Sequence, residues 1–384
     1  MMTNSEFYRD TWIEVDLDAI SYNISQLSEQ LHKDTVIMAV VKANAYGHGY
    51  LEVAETALES GAEWLAVAFL DEALFLRKHG FTAPILVLGA TRPEDAGIAA
   101  QHGIRLTVFS AAWMKAARGF LDHETLNIHL KIDTGMGRLG FTEKNDLMEA
   151  ERLASDYTQL QIEGAFTHFA TADEPDRAYA DQQHERFMEY LNVLNHEPKM
   201  IHASNSAGAF LRDNTAFNAV RFGVSMYGLV PSGDIRSEMP VRLNPALSLF
   251  TKIVQVKKLK QGGKVSYGAT YTAGQDEWIA TLPIGYADGW IRQMQGFEVI
   301  AGGQRAEIVG RVCMDQCMIR LPFEMKEGTT VILVGSEGED RILLDDIAAH
   351  NGTIHYESAC LLAARVPRIY RKNGIKNKVF NHLN

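Results

Sequence analysis

The chain has 384 residues, 37 of them basic and 48 acidic, and a formal net charge of −11. This balance argues against nucleic acid as the main partner, and the length exceeds one typical domain, so that we expect a large barrel or two domains. Cys313, Cys317 and Cys360 are too few for a disulfide framework, and no apolar stretch approaches the roughly 20 residues that span a bilayer.

The start of the chain, Thr3-Asn4-Ser5-Glu6, is polar and lacks the apolar core of a signal sequence. No second pair of cysteines or histidines completes a zinc pattern. We therefore expect a cytoplasmic protein without a metal site.

From about Trp12 to Phe222, short apolar runs alternate with helical patterns, which is typical of βα units and a parallel sheet. The pattern predicts nine strands, at 12–17, 36–41, 64–68, 85–88, 106–109, 126–132, 160–166, 200–203 and 219–222. Eight βα units close a barrel, so one strand is surplus. Residues 12–17 alternate apolar and polar side chains, unlike strands that are buried on both faces, and we predict that they lie outside the barrel.

The helical pattern is clearest between the first two strands, where Ile20, Ile24, Leu27 and Leu31 recur at helical spacing. After Pro245 the character changes to β-branched or alternating runs separated by glycine turns. The sequence thus predicts a (β/α)8 TIM-type barrel in residues 1–245, followed by a mostly β C-terminal domain in residues 246–384.

Lys42 stands at the end of the apolar run 36–41, before a short segment that contains Gly47 and Gly49. A lysine at the mouth of a buried strand can lose hydration, which favours the neutral amine that forms Schiff bases. The ordinary alternative is a lysine that only marks where the strand returns to water.

Further polar residues follow the predicted barrel strands at their carboxyl ends, where barrel enzymes place their active sites. These residues are Arg138, His168, Ser206 and Arg221. His168 could equally be a hydrogen-bonded core histidine. Arg221 is harder to explain structurally, because an arginine within an apolar strand needs an acceptor or a ring system.

Ser206 lies in Asn205-Ser206-Ala207-Gly208, just before a short apolar helical stretch. It could be a helix N-cap, or it could help the helix start to hold a phosphate. Gly223 follows the last barrel strand, and the loops after strands seven and eight are the recurring phosphate site of this fold. One phosphorylated ligand is therefore expected, and the lack of a nucleotide-binding glycine pattern disfavours a nucleotide.

A Schiff-base lysine that faces a phosphate site, with arginine near a ring, is what pyridoxal phosphate requires. Residues 41–49 resemble the cofactor-lysine signature of the alanine racemases, residues 131–140 resemble their second signature, and residues 221–224 with 226–228 resemble the third. Further similarity lies at 266–268, 285–289, 311–315 and around Tyr356. The resemblance runs from residue 36 to about 370, and it implies a pyridoxal phosphate-binding barrel, a β domain and a homodimer.

The resemblance also implies an alanine racemase that interconverts L-alanine and D-alanine by a two-base mechanism on a pyridoxal phosphate Schiff base and supplies D-alanine for cell-wall peptidoglycan. Lys42 and Tyr267 would be the catalytic bases. The resemblance implies that the cofactor is bound by Tyr46, Arg138, His168, Asn205, Ser206, Arg221, Gly223, Val224 and Tyr356. It implies that Arg138 and Met314 bind the substrate carboxylate and that Tyr286 and Tyr356 narrow the entrance. It also implies that Lys131 is carbamylated.

Three alternatives stay open at this point. One is a broader alanine and serine racemase. The second is a barrel-type amino-acid decarboxylase, although those enzymes place an acidic residue at the position of Arg221. The third is a non-catalytic pyridoxal phosphate carrier, which would lack the β domain. Because Lys42 and Tyr267 fall in different domains, either one chain or two could complete the site, and the resemblance implies a partner chain.

Overall fold

The computed structural model describes residues 7–212 and 217–383. They form two compact units, and neither is continuous in sequence. The barrel unit contains residues 19–45 and the described residues of 50–245, and the β unit contains residues 7–18, 46–49 and 246–383. The first strand, β1 (Thr11–Asp16), belongs to the β unit.

Eight parallel strands form the sheet of the barrel unit, in the order β8-β7-β6-β5-β4-β3-β2-β9. Their bounds are β2 (Val36–Val40), β3 (Trp64–Val67), β4 (Ile85–Val87), β5 (Ile104–Val108), β6 (Leu126–Lys131), β7 (Leu160–Phe166), β8 (Met200–His202) and β9 (Ala219–Phe222). Most of their side chains are buried, as expected for strands that are covered on both faces.

The barrel closes between β8 and β9 through single hydrogen bonds rather than a ladder. The backbone N–H of Arg221 donates to the carbonyl oxygen of Ser204 at 3.1 Å. The side chain of Asn218 accepts from the N–H of Ile201 and donates to the carbonyl oxygen of Lys199, both at 2.7 Å. These contacts fix the edge of the barrel where β8 and β9 meet.

Helices follow the strands of the barrel unit. Within the described residues they are α1 (Leu17–Ser28), α2 (Lys42–Tyr46), α3 (Tyr50–Glu59), α4 (Leu70–Lys78), α5 (Ala96–Gln101), α6 (Ala111–Ala117), α7 (Lys144–Asp156), α8 (Ala178–Leu191) and α9 (Ser206–Leu211), with 3-10 turns at Pro93–Asp95, Arg118–Phe120 and Val224–Tyr227. In α1 the predicted apolar stripe is buried at Ile20, Ile24 and Leu27, but the helix ends at Ser28, before Leu31. No helix in the described part of the chain is long and apolar enough to cross a membrane.

The β unit is built on an eleven-stranded sheet in the order β11-β14-β17-β16-β15-β18-β10-β1-β20-β21, with β19 on β18, and on the separate pair β12-β13. The strands are β10 (Leu247–Lys252), β11 (Gln255–Leu259), β12 (Lys264–Val265), β13 (Tyr271–Thr272), β14 (Glu277–Leu282), β15 (Glu298–Ala301), β16 (Gln304–Ile308), β17 (Cys317–Leu321), β18 (Thr330–Glu337), β19 (Asp340–Ile342), β20 (Arg368–Lys372) and β21 (Ile375–Phe380). The helical parts are α10 (Leu344–Asn351), α11 (His355–Cys360) and 3-10 turns at Tyr267–Ala269, Tyr286–Asp288 and Arg292–Met294.

β1 lies in the middle of this sheet, antiparallel to β10 and parallel to β20. Residues 247–256 are divided between β10 and β11, because the N–H of Ile253 bonds to the carbonyl oxygen of Thr329 while that of Val254 bonds to the carbonyl oxygen of Thr281. The chain therefore changes partners at this point. The predicted fold class, a TIM-type barrel with a mostly β C-terminal domain, is confirmed.

Candidate active site

Lys42 directly follows the β2 region and opens a left-handed turn. Ala43, Asn44, Ala45 and Tyr46 all have φ angles between 51° and 54°, so α2 is not a right-handed helix. Each non-glycine residue in this conformation costs roughly 1–2 kcal/mol, and such strain persists where the surroundings enforce it, often at functional sites. No pattern in the sequence predicts this turn.

A carboxylate from α4 holds the turn in place. Oε1 of Glu72 accepts hydrogen bonds from the backbone N–H of Ala43 and from the hydroxyl of Tyr50, both at 2.7 Å. Its Oε2 accepts from the backbone N–H groups of Ala68 and Phe69 at 2.7 and 3.2 Å. Glu72 could not be identified from the sequence, because its contact with Ala43 spans 29 residues and no local motif indicates it.

The predicted phosphate-binding residues of the barrel meet at the start of α9. Asn205 caps this helix, since its Oδ1 accepts from the N–H of Gly208 at 3.0 Å. The interpretation of Ser206 as the N-cap is therefore wrong. The hydroxyl of Ser206 instead accepts from the N–H of Gly223 at 3.0 Å, which brings the segments after β8 and β9 together at a helix start, a favourable place for an anion.

Val224 continues from Gly223 into the 3-10 turn Val224–Tyr227 and is buried. The next residue, Ser225, also directs its N–H to the Ser206 hydroxyl, at 3.4 Å. Ser206 thus organises the backbone on both sides of Val224.

Arg221 lies in β9, and its guanidinium is buried among acceptors. Its Nη1 donates to Nδ1 and to the carbonyl oxygen of His202, at 2.7 and 3.1 Å. Its Nη2 donates to the carbonyl oxygens of Thr167 and Ala203, at 2.9 and 2.7 Å. These are the acceptors that an arginine in an apolar strand needs, although the sequence analysis did not identify His202 among them.

His168 also faces Arg221, with Nδ1 at 3.2 Å from Nη2. Burial, followed by the charges of Arg221 and Arg138, holds the pKa of His168 well below its usual value, so the imidazole is a neutral acceptor. Burial and the charge of Arg138 lower the pKa of Arg221 to about 9. The guanidinium therefore keeps its charge at neutral pH.

Lys131 ends β6 and is buried, with Nζ at 5.5 Å from the centre of the Phe166 ring. Burial, then the charges of Arg138 and Arg221, lower the pKa of Lys131 to about 8. In the loop that follows, Oδ2 of Asp133 accepts from the backbone N–H of Arg138 at 3.0 Å. Asp133 thereby shapes the loop that presents the exposed Arg138.

In the β unit, Tyr267 lies on a turn between β12 and β13 and is 72% exposed. Ser266 and Ala269 on either side have positive φ angles of 64° and 48°. The hydroxyl of Ser266 donates to the carbonyl oxygen of Arg311 at 2.5 Å and anchors the turn. Tyr267 is therefore not packed into the core of the sheet.

Tyr286 and Met314 are brought together by backbone hydrogen bonds within the β unit. The N–H of Tyr286 donates to the carbonyl oxygen of Cys313, and the N–H of Ala287 donates to that of Met314, both at 3.0 Å. Both side chains, Tyr286 and Met314, are exposed. The buried carboxylate of Asp288 supports this segment with hydrogen bonds from arginine side chains.

Tyr46 and Tyr356, the remaining predicted phosphate ligands, also lie in the β unit. Their ring centres are 6.2 Å apart, at an angle of 51°. Burial raises the pKa of Tyr46, so its hydroxyl stays protonated and can donate to an anion. Tyr356 stacks on His355 in α11, with ring centres 4.8 Å apart.

The barrel residues form a donor set that fits a phosphorylated aldehyde with a heteroaromatic ring. β2 and β9 are neighbours in register, with Met38 opposite Arg221, so Lys42 and Gly223 follow adjacent strands at the same edge. An amine, a buried guanidinium and the start of helix α9 therefore share the carboxyl end of the barrel. In residues 7–212 and 217–383, no group of three or more His, Cys, Asp or Glu side chains could hold a metal ion.

Comparison with known proteins identifies relatives over nearly the whole chain. Residues 15–231 match the family model of the alanine racemase N-terminal domain, and residues 246–370 match that of the C-terminal domain. The chain is 55% identical to the alanine racemase of Geobacillus kaustophilus over 369 residues, 96% of each chain. It is 47% identical to alanine racemase 1 of Bacillus subtilis over 382 residues, which cover 100% of this chain and 98% of that protein.

Solved structures agree with these relatives. The alanine racemase of Bacillus anthracis with bound L-Ala-P superposes with a TM-score of 0.97 at 48% identity, covering 99% of both chains. A histidine racemase from Leuconostoc mesenteroides subsp. sake superposes with a TM-score of 0.90 at 37% identity, covering 95% of this chain and 99% of that one.

Proposed function

This chain belongs to the alanine racemase family, and from that premise we propose that it interconverts L-alanine and D-alanine with pyridoxal 5'-phosphate, using Lys42 and Tyr267 as the two proton-transferring groups. The observation that carries the proposal is that Lys42 and Gly223 follow the adjacent parallel strands β2 and β9, and that Arg221 lies in β9 opposite Met38 of β2. That arrangement supplies an amine, a ring partner and an anion site along one edge of the barrel.

The residues present fit the cofactor. Ser206 and the Gly223 N–H would hold the phosphate together with Val224 and the protonated hydroxyl of Tyr46, while Tyr356 stands beside Tyr46. When bound, the cofactor supplies a conjugated ring system that accepts electron density and thereby acidifies the α-hydrogen of an amino acid. Asn205 contributes indirectly, by capping the helix that presents Ser206.

Arg221 would face the ring nitrogen of the cofactor. A guanidinium only donates hydrogen bonds and keeps its proton at neutral pH. Arg221 would therefore leave the ring nitrogen unprotonated. His168 accepts from Arg221 behind the site. The presence of Arg221 also disfavours a decarboxylase, because an acidic side chain would occupy its position in such an enzyme.

Racemisation must remove a proton from one face of the α-carbon and return one to the opposite face. Two groups on opposite faces meet this need, and we assign one face to the Lys42 amine and the other to the Tyr267 hydroxyl. Arg138 and the backbone N–H of Met314 would bind the substrate carboxylate. A carbamylated Lys131 would accept a hydrogen bond from Arg138 and orient it.

The proposal includes a homodimer in which the partner subunit completes each site, since Tyr267 is largely exposed in the single chain. A cytoplasmic location and the supply of D-alanine for peptidoglycan belong to the same proposal. Tyr286 and Tyr356 would narrow the entrance and favour a side chain as small as methyl.

Serine and histidine are the competing substrates. Serine differs from alanine by one hydroxyl, which an apolar pocket rejects by only roughly a hundredfold. Histidine is considered as a substrate because one of the similar solved structures is that of a histidine racemase. We expect alanine to be preferred over both, and equal rates with serine or histidine would contradict the substrate assignment.

The experiment that tests the function is incubation of L-alanine with the enzyme in deuterated water, with readout of both chirality and α-deuterium. We expect D-alanine that carries α-deuterium. In Tyr267→Phe, racemisation should be lost while α-exchange persists for one enantiomer only, because the opposite face retains Lys42.

Tyr271→Phe is the matched control, since Tyr271 is a nearby tyrosine whose hydroxyl bonds to Glu277 within the β unit. It should racemise alanine like the unmodified chain. Equal residual exchange of both enantiomers in Tyr267→Phe would contradict the two-base assignment.

A further inference from the structure

A row of polar side chains crosses the interior of the barrel, where branched apolar side chains normally dominate. It begins at Arg221 in β9, passes through His202 in β8 and His129 in β6, and reaches Glu163 in β7. Two hydrogen bonds link the first three residues, with 2.7 Å from Arg221 Nη1 to His202 Nδ1 and 2.9 Å from His202 Nε2 to His129 Nδ1. Nε2 of His129 then faces Oε2 of Glu163 at 3.6 Å, an electrostatic contact that is longer than a hydrogen bond. Both histidines are fully buried.

The donors and acceptors in this row can be ordered in only one direction. Arginine donates and never accepts, so Nδ1 of His202 must be unprotonated and its proton must lie on Nε2. That N–H donates to Nδ1 of His129, so the proton of His129 lies on Nε2, the nitrogen that faces the Glu163 carboxylate. The order holds while both imidazoles are neutral.

Neutral imidazoles are what the surroundings favour. Burial, followed by the charges of Arg221 and His129, holds the pKa of His202 well below its usual value. Burial also lowers the pKa of His129, although Glu163 opposes the effect. At the far end, burial alone would raise the pKa of Glu163, but its contacts with His129 and Arg105 bring it to about 2.

Arg105 fixes the far end of the row. Its Nε and Nη2 donate to the two carboxylate oxygens of Glu163 at 2.9 and 3.2 Å. Because both oxygens accept from Arg105, the carboxylate cannot rotate away from His129 without breaking this pair.

Close packing restricts where the two histidine rings can lie. A side chain at residue 164 would place its Cβ 2.4 Å from Nδ1 of His129, so only Gly164 leaves room for this ring. His202 stacks on Phe166 with ring centres 4.6 Å apart and an angle of 11°, and the edge of Trp64 meets His129 at 5.6 Å. The rings therefore hold the nitrogens in line.

We propose that Arg105, Glu163, His129 and His202 form a positioning relay behind Arg221, in which the Glu163 carboxylate stabilises from the far end the tautomer order that Arg221 requires, and so keeps Nδ1 of His202 as an acceptor that holds the Arg221 guanidinium in place. The inference rests on the proposed role of Arg221. It makes Glu163 a positioning residue that influences the outcome of the reaction without touching substrate or cofactor. Removing its charge should let the tautomers of His129 and His202 mix and loosen the hold on Arg221.

The first measurement concerns the protons themselves. In holoenzyme labelled with nitrogen-15 histidine, the ring nitrogen shifts should show His129 and His202 protonated on Nε2 only. In Glu163→Leu, His129 should show a mixture of tautomers, and Glu163→Gln, which keeps one acceptor oxygen, should show a smaller change. A wild-type ring that carries its proton on Nδ1 would overturn the proposal, and so would unchanged shifts in Glu163→Leu.

The second measurement is the ratio of pyruvate released by transamination to alanine racemised. We expect this ratio to rise about tenfold in Glu163→Leu, which corresponds to roughly 1.4 kcal/mol, and less in Glu163→Gln. Glu14→Gln is the matched control, because Glu14 also pairs with an arginine through both oxygens and its side chain is 20% exposed, against 19% for Glu163.

If the ratio of transamination to racemisation rises as much in Glu14→Gln as in Glu163→Gln, the loss of any half-buried ion pair has this effect. That result would overturn the relay. If wild-type enzyme racemises no amino acid, the proposed function fails. The nitrogen-15 shifts would still decide the relay, so the two failures can be told apart. Should Glu163→Leu not fold, the wild-type shifts and Glu163→Gln decide the question.

Discussion

At the scale of single residues, burial is the main influence on the ionisable groups of the barrel. It lowers the pKa of Lys131 and of Arg221 and holds that of His168 well below its usual value. The three groups end in different protonation states, because their ordinary pKa values differ so widely. At neutral pH, Arg221 is charged, His168 is neutral, and Lys131 is close to its titration point.

This position of Lys131 leads to a prediction about carbamylation, which requires the neutral amine. With a pKa of about 8, Lys131 is mostly charged at pH 6 and mostly neutral at pH 9. Uptake of carbon-13 bicarbonate, followed as a carbamate carbon resonance, should therefore rise as the pH increases through about 8. An ordinary exposed lysine would need a pH roughly two units higher.

Lys131→Gln should lose the resonance, whereas Lys144→Gln should keep it, since Lys144 is a more exposed lysine that pairs with Glu189. A resonance that survives in Lys131→Gln would assign the carbamate elsewhere. A resonance that is independent of pH would contradict the lowered pKa.

At the scale of elements, the strands were easier to predict than the turns. Strands such as β2 and β3 are continuous apolar runs, and that pattern alone identifies a strand buried on both faces. The left-handed turn after Lys42 has no such signal, because Ala43 and Ala45 are residues that normally favour right-handed helix. Glu72, which accepts a hydrogen bond from the Ala43 N–H in this turn, is remote in sequence, and its contact exists only when α4 is in place.

The same distinction explains which parts of the site the sequence could identify. The proximity of Ser206 and Gly223 could be predicted, because barrel topology places the loops after β8 and β9 together. His202 could not be recognised as the partner of Arg221, because a histidine at a strand end has many ordinary roles. The capping residue was missed by one position, since Asn205 and Ser206 are both good N-caps.

The left-handed turn leads to a prediction about stability. Ala43 is exposed and has a φ of 53°, so Ala43→Gly should change the free energy of unfolding by less than about 1 kcal/mol, since relief of strain offsets the greater entropy of the unfolded chain. Ala43→Val should destabilise by about 2 kcal/mol, because a β-branched residue fits this region worst. Equilibrium denaturant unfolding measures both.

Ala112, an exposed residue in the ordinary helix α6, provides the control. At this position, substitution by glycine should lower the free energy of unfolding at least as much as substitution by valine. If Ala43→Gly were as destabilising as Ala43→Val, the turn would not be left-handed in solution.

At the scale of the whole molecule, the two units share the chain in an interleaved way. Residues 46–49 follow Lys42 closely in sequence, yet they belong to the β unit. Arg368 donates to the carbonyl oxygen of Gly47 at 3.0 and 3.2 Å, and the hydroxyl of Tyr370 donates to that of His48 at 3.1 Å. A Cβ at residue 47 would lie 2.2 Å from the carbonyl oxygen of Ala359, so this position requires glycine. Such interleaving cannot be seen in a sequence that is read from one end to the other.

The proposed two-base mechanism assigns one proton-transferring group to each unit, Lys42 to the barrel unit and Tyr267 to the β unit. If the partner subunit supplies Tyr267, two inactive variants should restore each other. We expect Lys42→Ala and Tyr267→Phe to be inactive as homodimers. In a mixed dimer one site carries both substitutions and the other carries neither, so an equal mixture that exchanges subunits should recover about a quarter of wild-type racemisation.

Complementation is read from the rate of D-alanine formation after the two variants are mixed and allowed to exchange. Lys42→Ala mixed with a second Lys42 variant, Lys42→Met, is the control and should stay inactive, because every site then lacks the lysine. If Lys42→Ala and Tyr267→Phe exchange subunits, as shown by differently tagged chains that co-purify, and still recover no activity, each site is made within one chain. Dilution decides the same point independently, since a site that needs two chains loses specific activity below the dissociation constant of the dimer, whereas a site within one chain keeps it.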